Sequence, residues 1–396
     1  MHSERLILAQ TAVALATPAA GAARGLAVQC LAREESFIAL AADWERLHAS
    51  SETSSVFNSW LVQHAWWQTY GRGRRLRIFV ARDGGEVVGI LPLYLERSSV
   101  AGIPVQRLRL VGTGGDTYPD DLGPVLSPSP WRAAIDALAQ AAIDFAEWDV
   151  LELTDLEPRM GQALAGVVRR SRLPFAQGRS QRIPYIELPS TWQAYLESLS
   201  RARRGRLRGL RRRLDRALPW RFFVWEDGSR IGEALERLAD LHRRRWLAAG
   251  TPSESFATPQ YLEFHRRVMA GAMQRGWLRL YCLELAGEVA AMIYAFRFRD
   301  RVYLMQAGFD PRHAHRSPGA VLLGCALEHA IGEGNAVFDF LRGEHAYKDE
   351  LASGDRETVF VKCYRNTARA MAWRLSSEQL PALKARLRLL ITARTG

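Results

Sequence analysis

The sequence predicts an α/β protein made of two similar halves in tandem, each a mixed β-sheet flanked by helices. Three observations predict it. The segments RIFVARDGGEVVGIL (77–91) and RLYCLELAGEVAAMI (279–293) align, so that Arg77 meets Arg279, Gly85 meets Gly287, Glu86 meets Glu288 and Val87 meets Val289. Each reads as a β-hairpin: an apolar strand, a short glycine-containing turn and a second apolar strand. The flanks of the two hairpins also repeat over about 150 residues. With only two copies this is duplication and not a solenoid. Finally, in FDFLRGEHAYK (338–348) an apolar run carrying Asp339 ends at Gly343 and a polar cluster. Ligands bind at such strand ends in open α/β sheets.

The elements follow in order. Helical patterns over 36–48 and 58–70 precede the first hairpin, with Asn58 placed as an N-cap. A strand at 105–112, a helix at 131–146, a strand at 149–154, a helix at 158–171 and a strand at 183–188 follow it. In the second half the counterparts are helices 229–249 and 258–275 and strand 301–309. Helix 319–332, strand 335–341, helix 344–352 and strand 357–364 complete it. The Trp-rich helix SWLVQHAWWQTY (59–70) is assigned to the core in preference to a sugar platform. The division expected is a disordered leader (1–30), an N-terminal domain (31–190), an arginine-rich connecting helix (191–218), a C-terminal domain (219–375) and a helical tail (376–396).

A net charge of +12 points to an anionic partner. Nine arginines against one acid between Arg201 and Arg216 supply 9 − 1 = 8 of it. Leu207, Leu210 and Leu214 recur at helical spacing there, so one stripe packs inward while arginines cover the rest. No aromatics interleave, which argues against base stacking. Four scattered cysteines form neither a disulfide framework nor a thiolate metal site, and no metal is expected. The run 6–23 resembles a secretory h-region but is interrupted by Gln10 and Thr11 and too short to span a bilayer. With no transmembrane segment, the protein is expected to be soluble and cytoplasmic.

RSPGAVLLG (316–324) follows a strand and opens a helix with Pro318 at its first position. Free amides and the helix dipole make such a start an anion site, with Ser317 as cap and Gly319 allowing close approach. In the first half the corresponding stretch, VGTGGDTYPDDLGPVLSPSP (111–130), carries Asp116, Asp120 and Asp121, which repel a pyrophosphate. The first half therefore either contributes Asp116, Tyr118 and Asp120 to an acceptor cleft between the halves or acts only as a scaffold.

The α-α-β-β-β-α-β-α-β order resembles the GNAT acyltransferase superfamily. At residue level the arginine-rich helix 201–216, AGFDPRHAHRSPGAVLL (307–323) and FDFLRGEHAYKDEL (338–351) are similar to the cellulose-biosynthesis-type (CelD-like) acetyltransferases. The Fem-type aminoacyl transferases share the layout more distantly. The resemblance implies an acyltransferase using acetyl-CoA or another acyl-CoA and an amine or hydroxyl acceptor, linked to exopolysaccharide or cell-envelope synthesis. It implies that the cofactor is held by Gln306, Gly308, Arg316, Ser317, Gly319 and Ala320, although Val321 stands where the superfamily's phosphate loop has a glycine. It further implies that Tyr347 protonates the departing thiolate, a reasonable pairing for a phenol. Asp339, Glu344 and His345 are the candidate proton acceptors, and Lys348 joins the constellation. Arg203, Arg204 and Arg208 are the candidate contacts to cofactor phosphates, an anionic surface or tRNA. Two alternatives stand beside this: a Fem-like transferase using aminoacyl-tRNA, and a non-catalytic polyanion-binding assembly factor.

Overall fold

A computed structural model describes residues 25–251, 253–343 and 345–379. The N-terminal half runs β1 (Ala27–Leu31), α1 (Glu34–Ala39), α2 (Ala41–Ser50), α3 (Trp60–Tyr70), β2 (Arg75–Asp83), β3 (Glu86–Val100), β4 (Ile103–Leu110), β5 (Val125–Leu126), α4 (Trp131–Asp144), β6 (Val150–Leu156), α5 (Pro158–Arg170) and β7 (Phe175–Glu187). Helices α6 (Trp192–Ser198) and α7 (Arg201–Ala217) connect it to β8 (Trp220–Val224), α8 (Ile231–Ala248), α9 (Pro259–Gln274), β9 (Leu278–Leu285), β10 (Glu288–Phe298) and β11 (Arg301–Phe309). The chain continues through α10 (Pro318–Gly332), β12 (Val337–Asp339), α11 (Ala346–Leu351), β13 (Gly354–Tyr364) and α12 (Ala368–Arg374).

The two halves are of mixed α/β architecture. Their sheets are continuous, in the order β1-β2-β3-β4-β6-β13-β7-β12-β11-β10-β9-β8. In each half a parallel pair, β4 with β6 and β11 with β12, forms the centre. The last strands then change places. β13, from the C-terminal half, pairs with β6, while β7, from the N-terminal half, pairs with β12. β7 and β13 pair with each other along most of their length. Neither half completes its sheet without the other.

Local chemistry explains most boundaries. Both aligned hairpins close through two-residue loops in which both residues have positive φ, Gly84-Gly85 and Ala286-Gly287. This is the type I′ geometry that matches strand twist. α3 is capped by Ser59, whose side chain accepts from the Val62 amide. Asn58, the expected cap, instead accepts from the Ser55 amide. Trp66 of that helix is fully buried, and its indole donates to Thr117 Oγ1 at 2.9 Å.

Some expected boundaries shift. Residues 27–30, assigned to a leader, pair with β2 as an edge strand. Residues 335–341 contribute only a three-residue strand, because the chain turns away after Asp339. The expected 183–188 strand is the end of a much longer β7, since the exchange gives it two partners. The leader up to residue 24 and the tail from residue 380 lie outside the described residues.

Cross-half contacts are specific. The Arg299 guanidinium donates to carbonyls at the C-terminal end of α2, including Ser51 at 2.6 Å. Such a cation opposes the negative end of a helix dipole. α9 packs on α3 so closely that a Cβ on Gly271 would lie 2.3 Å from Leu61.

Ala286 is exposed and has φ 49°, a conformation that disfavours a side chain. A286G is expected to raise unfolding free energy by about 0.5–1 kcal/mol, the left-handed relief less the added unfolded-state entropy. Urea denaturation with an unchanged m-value checks it, and a destabilised variant refutes the turn assignment.

Candidate active site

Beyond Tyr303, the last residue of β11 to pair with β12, the strand runs on to Phe309. Two cavities lie against this extension. The first, about 280 Å³, is a chamber between the halves, walled by Trp66 of α3, Tyr118, Tyr261 and His265 of α9, and Arg245 and Trp246 of α8. The second, about 260 Å³, is an apolar channel between β11 and α10, lined by Met292, Phe309, Gly319, Ala320 and Leu323, with Arg203 and Arg206 of α7. Both walls include Arg245, Leu304, Ala307 and Tyr347, so the two spaces adjoin at that point.

Tyr347 stands at this junction on the first turn of α11. Burial pushes its phenol up, partly opposed by the nearby Arg245 guanidinium, so it remains a protonated donor. His345, the residue before α11, stacks on the Tyr347 ring with centroids 5.9 Å apart and lines the chamber. Burial, then Lys348, then Arg245 hold its pKa below 6.5, which keeps the imidazole neutral at neutral pH.

Lys348 is buried, and its ammonium donates to the carbonyls of Phe340, Leu341 and Arg342 at 2.9, 3.2 and 2.7 Å. All three of its hydrogens are therefore used on one turn. That turn contains Leu341 at φ 53° and Gly343 at φ 109°. Lys348 thus fixes the irregular segment that carries β12 into His345 and Tyr347. Burial pulls its pKa down to about 8, against the upward pull of Asp120 and Asp339.

Asp339 lines neither cavity. It is fully buried, accepting from Arg301 at 3.0 Å, Arg356 at 2.6 Å and the Leu341 amide at 2.9 Å. The expectation that it takes a proton from an acceptor does not fit, because its oxygens are engaged away from both cavities. It belongs to a cluster with Asp120, Asp121 and Asp155. Arg342 binds Asp120 and Asp155, each at 2.6 Å, and Arg356 binds Asp121 at 2.6 Å. Asp120, expected in an acceptor cleft, is therefore an ion-pair partner. Four carboxylates face three guanidiniums; burial pushes Asp120 up, and Asp121 is pushed up to about 7 by burial and then by Asp339 and Asp120, despite Arg356.

The other expected site residues divide. Tyr118 is 62% exposed at the chamber wall. Asp116 bonds Tyr70 and Thr258 and ties the halves together. Gln306 faces the chamber, not the channel, and donates to Ser255 and Tyr261, both at 3.1 Å. Gly308 lines the channel, and a Cβ there would lie 2.4 Å from the His242 amide, so it also permits α8 to rest on β11. Gly319 and Ala320 line the channel at the start of α10. Ser317 precedes that helix at φ 52° and makes no side-chain cap bond, unlike the expected cap. Arg316 contacts His315. Arg203 lines the channel, Arg204 bonds the Leu199 carbonyl, and Arg208 borders a smaller neighbouring space. Glu344 lies outside the described residues. Among the described residues no His, Cys, Asp and Glu group is arranged to hold a metal, and no helix is long and apolar enough to cross a membrane.

Sequence reading missed Arg245, His242, Tyr261 and Trp246. They sit on helices whose pattern is amphipathic, and nothing in their spacing separates a cavity wall from a core face.

Residues 201–349 match the family model of an acetyltransferase (GNAT) domain. That span contains α7, the channel, α10 and the Tyr347 corner. No curated relative matches the chain. Among solved structures, FemX is similar at TM-score 0.58 and 12% identity, over 84% of this chain and 97% of that one. L-PGS from Bacillus licheniformis is similar at TM-score 0.51 and 12% identity, over 87% of this chain and 96% of that one. At such identity the likeness is one of fold.

A titrating Asp121 has a consequence for stability. Its folded pKa lies above the carboxyl's ordinary value, so the folded state holds the extra proton and loses stability as pH rises towards about 7. From pH 5 to pH 8 the wild type should lose about 2–3 kcal/mol relative to D121N, in which the amide mimics the protonated acid. Urea midpoints at both pH values measure this, and a pH-independent gap means Asp121 is ionised throughout. Separately, G308A should cost about 1–3 kcal/mol through overpacking of α8 on β11. An unchanged thermal midpoint would show that α8 yields freely.

Proposed function

We propose that the protein is an acyltransferase that draws an acyl group from coenzyme A and passes it to an amine or hydroxyl acceptor. The observation that carries this reading is the meeting of two cavities at one tyrosine inside the span matched by the GNAT model. The apolar channel suits a pantetheine arm, and the α10 start with Arg203 and Arg206 suits its phosphates. The thioester then lies at Tyr347. The neutral His345 takes a proton from the acceptor, the acceptor attacks the thioester carbonyl, and the Tyr347 hydroxyl donates to the departing thiolate. Lys348 and Asp339 act as positioning residues for the turn. Acetyl-CoA is the simplest donor for a channel of this size. An envelope or exopolysaccharide precursor is the acceptor class suggested by the CelD-like resemblance.

A second reading, transfer from aminoacyl-tRNA, is favoured by one observation. Among the described residues Arg201, Arg203, Arg208, Arg212, Arg213 and Arg216 of α7 make no ion pair, whereas Arg206 and Arg211 pair with Glu350 and Glu328. An unneutralised strip of this kind suits a phosphate backbone. A purely scaffolding role leaves the paired cavities unexplained.

Calorimetric titration with acetyl-CoA and longer acyl-CoAs tests the first reading. Binding with Kd below millimolar is expected, and none at millimolar ligand rejects it. Y347F should lower kcat about 100-fold while leaving coenzyme A affinity within about threefold. The acid limb of kcat/KM should fall below pH 6.5, because lowering pH protonates a histidine whose pKa is already depressed. Saturable, salt-steep binding of aminoacyl-tRNA with no response to acyl-CoA would select the second reading.

A further inference from the structure

We infer that the acceptor is an anion, held in the chamber by a carboxylate or phosphate docked on Arg245. The word acceptor rests on the acyltransferase reading; the anion site rests on geometry alone. Among the described residues that wall the chamber there is no aspartate or glutamate. Three cationic side chains are present, and two are already answered. Arg342 is paired with Asp120 and Asp155, and Lys348 gives its hydrogens to three carbonyls. The chamber's histidines add no charge near neutral pH: burial holds His242 at about 4 and His265 at about 3.

Arg245 is the exception. Its one hydrogen bond among the described residues is a long contact of 3.4 Å to the Ala307 carbonyl. Its guanidinium lies over Trp246 and Phe309 at 5.2 and 5.4 Å from the ring centres. Among the described residues it has no carboxylate partner, whereas Arg74, Arg279, Arg342 and Arg356, also partly buried, each have one. A half-buried charge without a counterion costs free energy that a ligand anion recovers. The planar fork also matches a carboxylate or phosphate in two-point geometry, which an ammonium cannot supply. A cationic acceptor would find repulsion here and, among the described residues, no acid to offset it.

Trp246 beside Arg245 gives an optical readout. Phenyl phosphate, benzoate and benzylamine are titrated into the full chain by tryptophan fluorescence, with W246F identifying the reporting indole. Coenzyme A is titrated in parallel by calorimetry. One of the two anions should saturate the signal, and which one does so names the acceptor group. R245Q should weaken that anion at least about tenfold and R245K less, with the loss of coenzyme A affinity, to whose channel Arg245 also belongs, clearly smaller than the loss of anion affinity. Benzylamine should not saturate. The inference is overturned if neither anion binds, if R245Q binds anions as tightly as the wild type, if benzylamine binds equally well, or if R245Q loses coenzyme A affinity in step. Should R245Q fail to fold by thermal midpoint, R245K decides. About threefold or greater weakening of the anion with a clearly smaller loss of coenzyme A affinity supports the site, and no weakening overturns it. Anion binding in a protein that ignores coenzyme A would defeat the acyl-CoA reading while upholding the anion site.

Discussion

The architecture turns on one electrostatic junction, where Asp120, Asp121, Asp155 and Asp339 meet Arg301, Arg342 and Arg356. Its members come from the 113–124 loop and β6 of one half and from β11, β12, β13 and the following turn of the other. Buried carboxylates and guanidiniums are tolerated only when each is answered, so the cluster permits one relative placement of these strand ends. Strand exchange makes the same demand through the backbone. β13 finds its ladder against β6, and β7 finds its own against β12. A half without its partner would expose both a sheet edge and unpaired charge.

The site inherits its geometry from this junction. Asp339 anchors the end of β12, and the chain then bends through Leu341 in a left-handed conformation. Lys348 reaches back from α11 to hold three carbonyls of the bend. Because Arg342 is tied to the N-terminal half, the turn bearing His345 and Tyr347 is located by both halves at once. That is how a tyrosine comes to stand where a cavity between the halves meets a channel within one of them. Preorganisation of this kind places the Tyr347 hydroxyl at the junction without requiring it to move.

Charge is segregated along the same line. The chamber has an aromatic, histidine-rich wall whose imidazoles are kept neutral by burial, leaving Arg245 as its unanswered charge among the described residues. The channel is apolar within and basic where α7 passes. Two compartments of such different character suit two different ligands.

Much of this was legible in sequence because it follows from local periodicity. The two hairpins, the amphipathic helices and the Pro318 helix start are set by neighbours a few residues apart. That Tyr347 and His345 border a cavity was legible because a polar cluster after a buried strand marks the strand end where ligand space opens in α/β sheets. By contrast, the sequence spacing of Asp339 looked catalytic, and only tertiary structure showed it facing Arg301 and Arg356. Gly308 read as a ligand contact, yet the α8 backbone crossing it also requires the absent Cβ. The strand exchange was invisible, since β7 and β13 have the same pattern whichever half they join. The amino-acid order by itself determined most of the strands and helices, and that there are two sets of them, because those depend on contacts within a segment, whereas edge strands such as β1 and β8 did not stand out. Which strands pair across the halves, which charges are neutralised and which remain open was decided only in three dimensions, because each depends on partners up to 251 residues apart, as with Arg299 and His48.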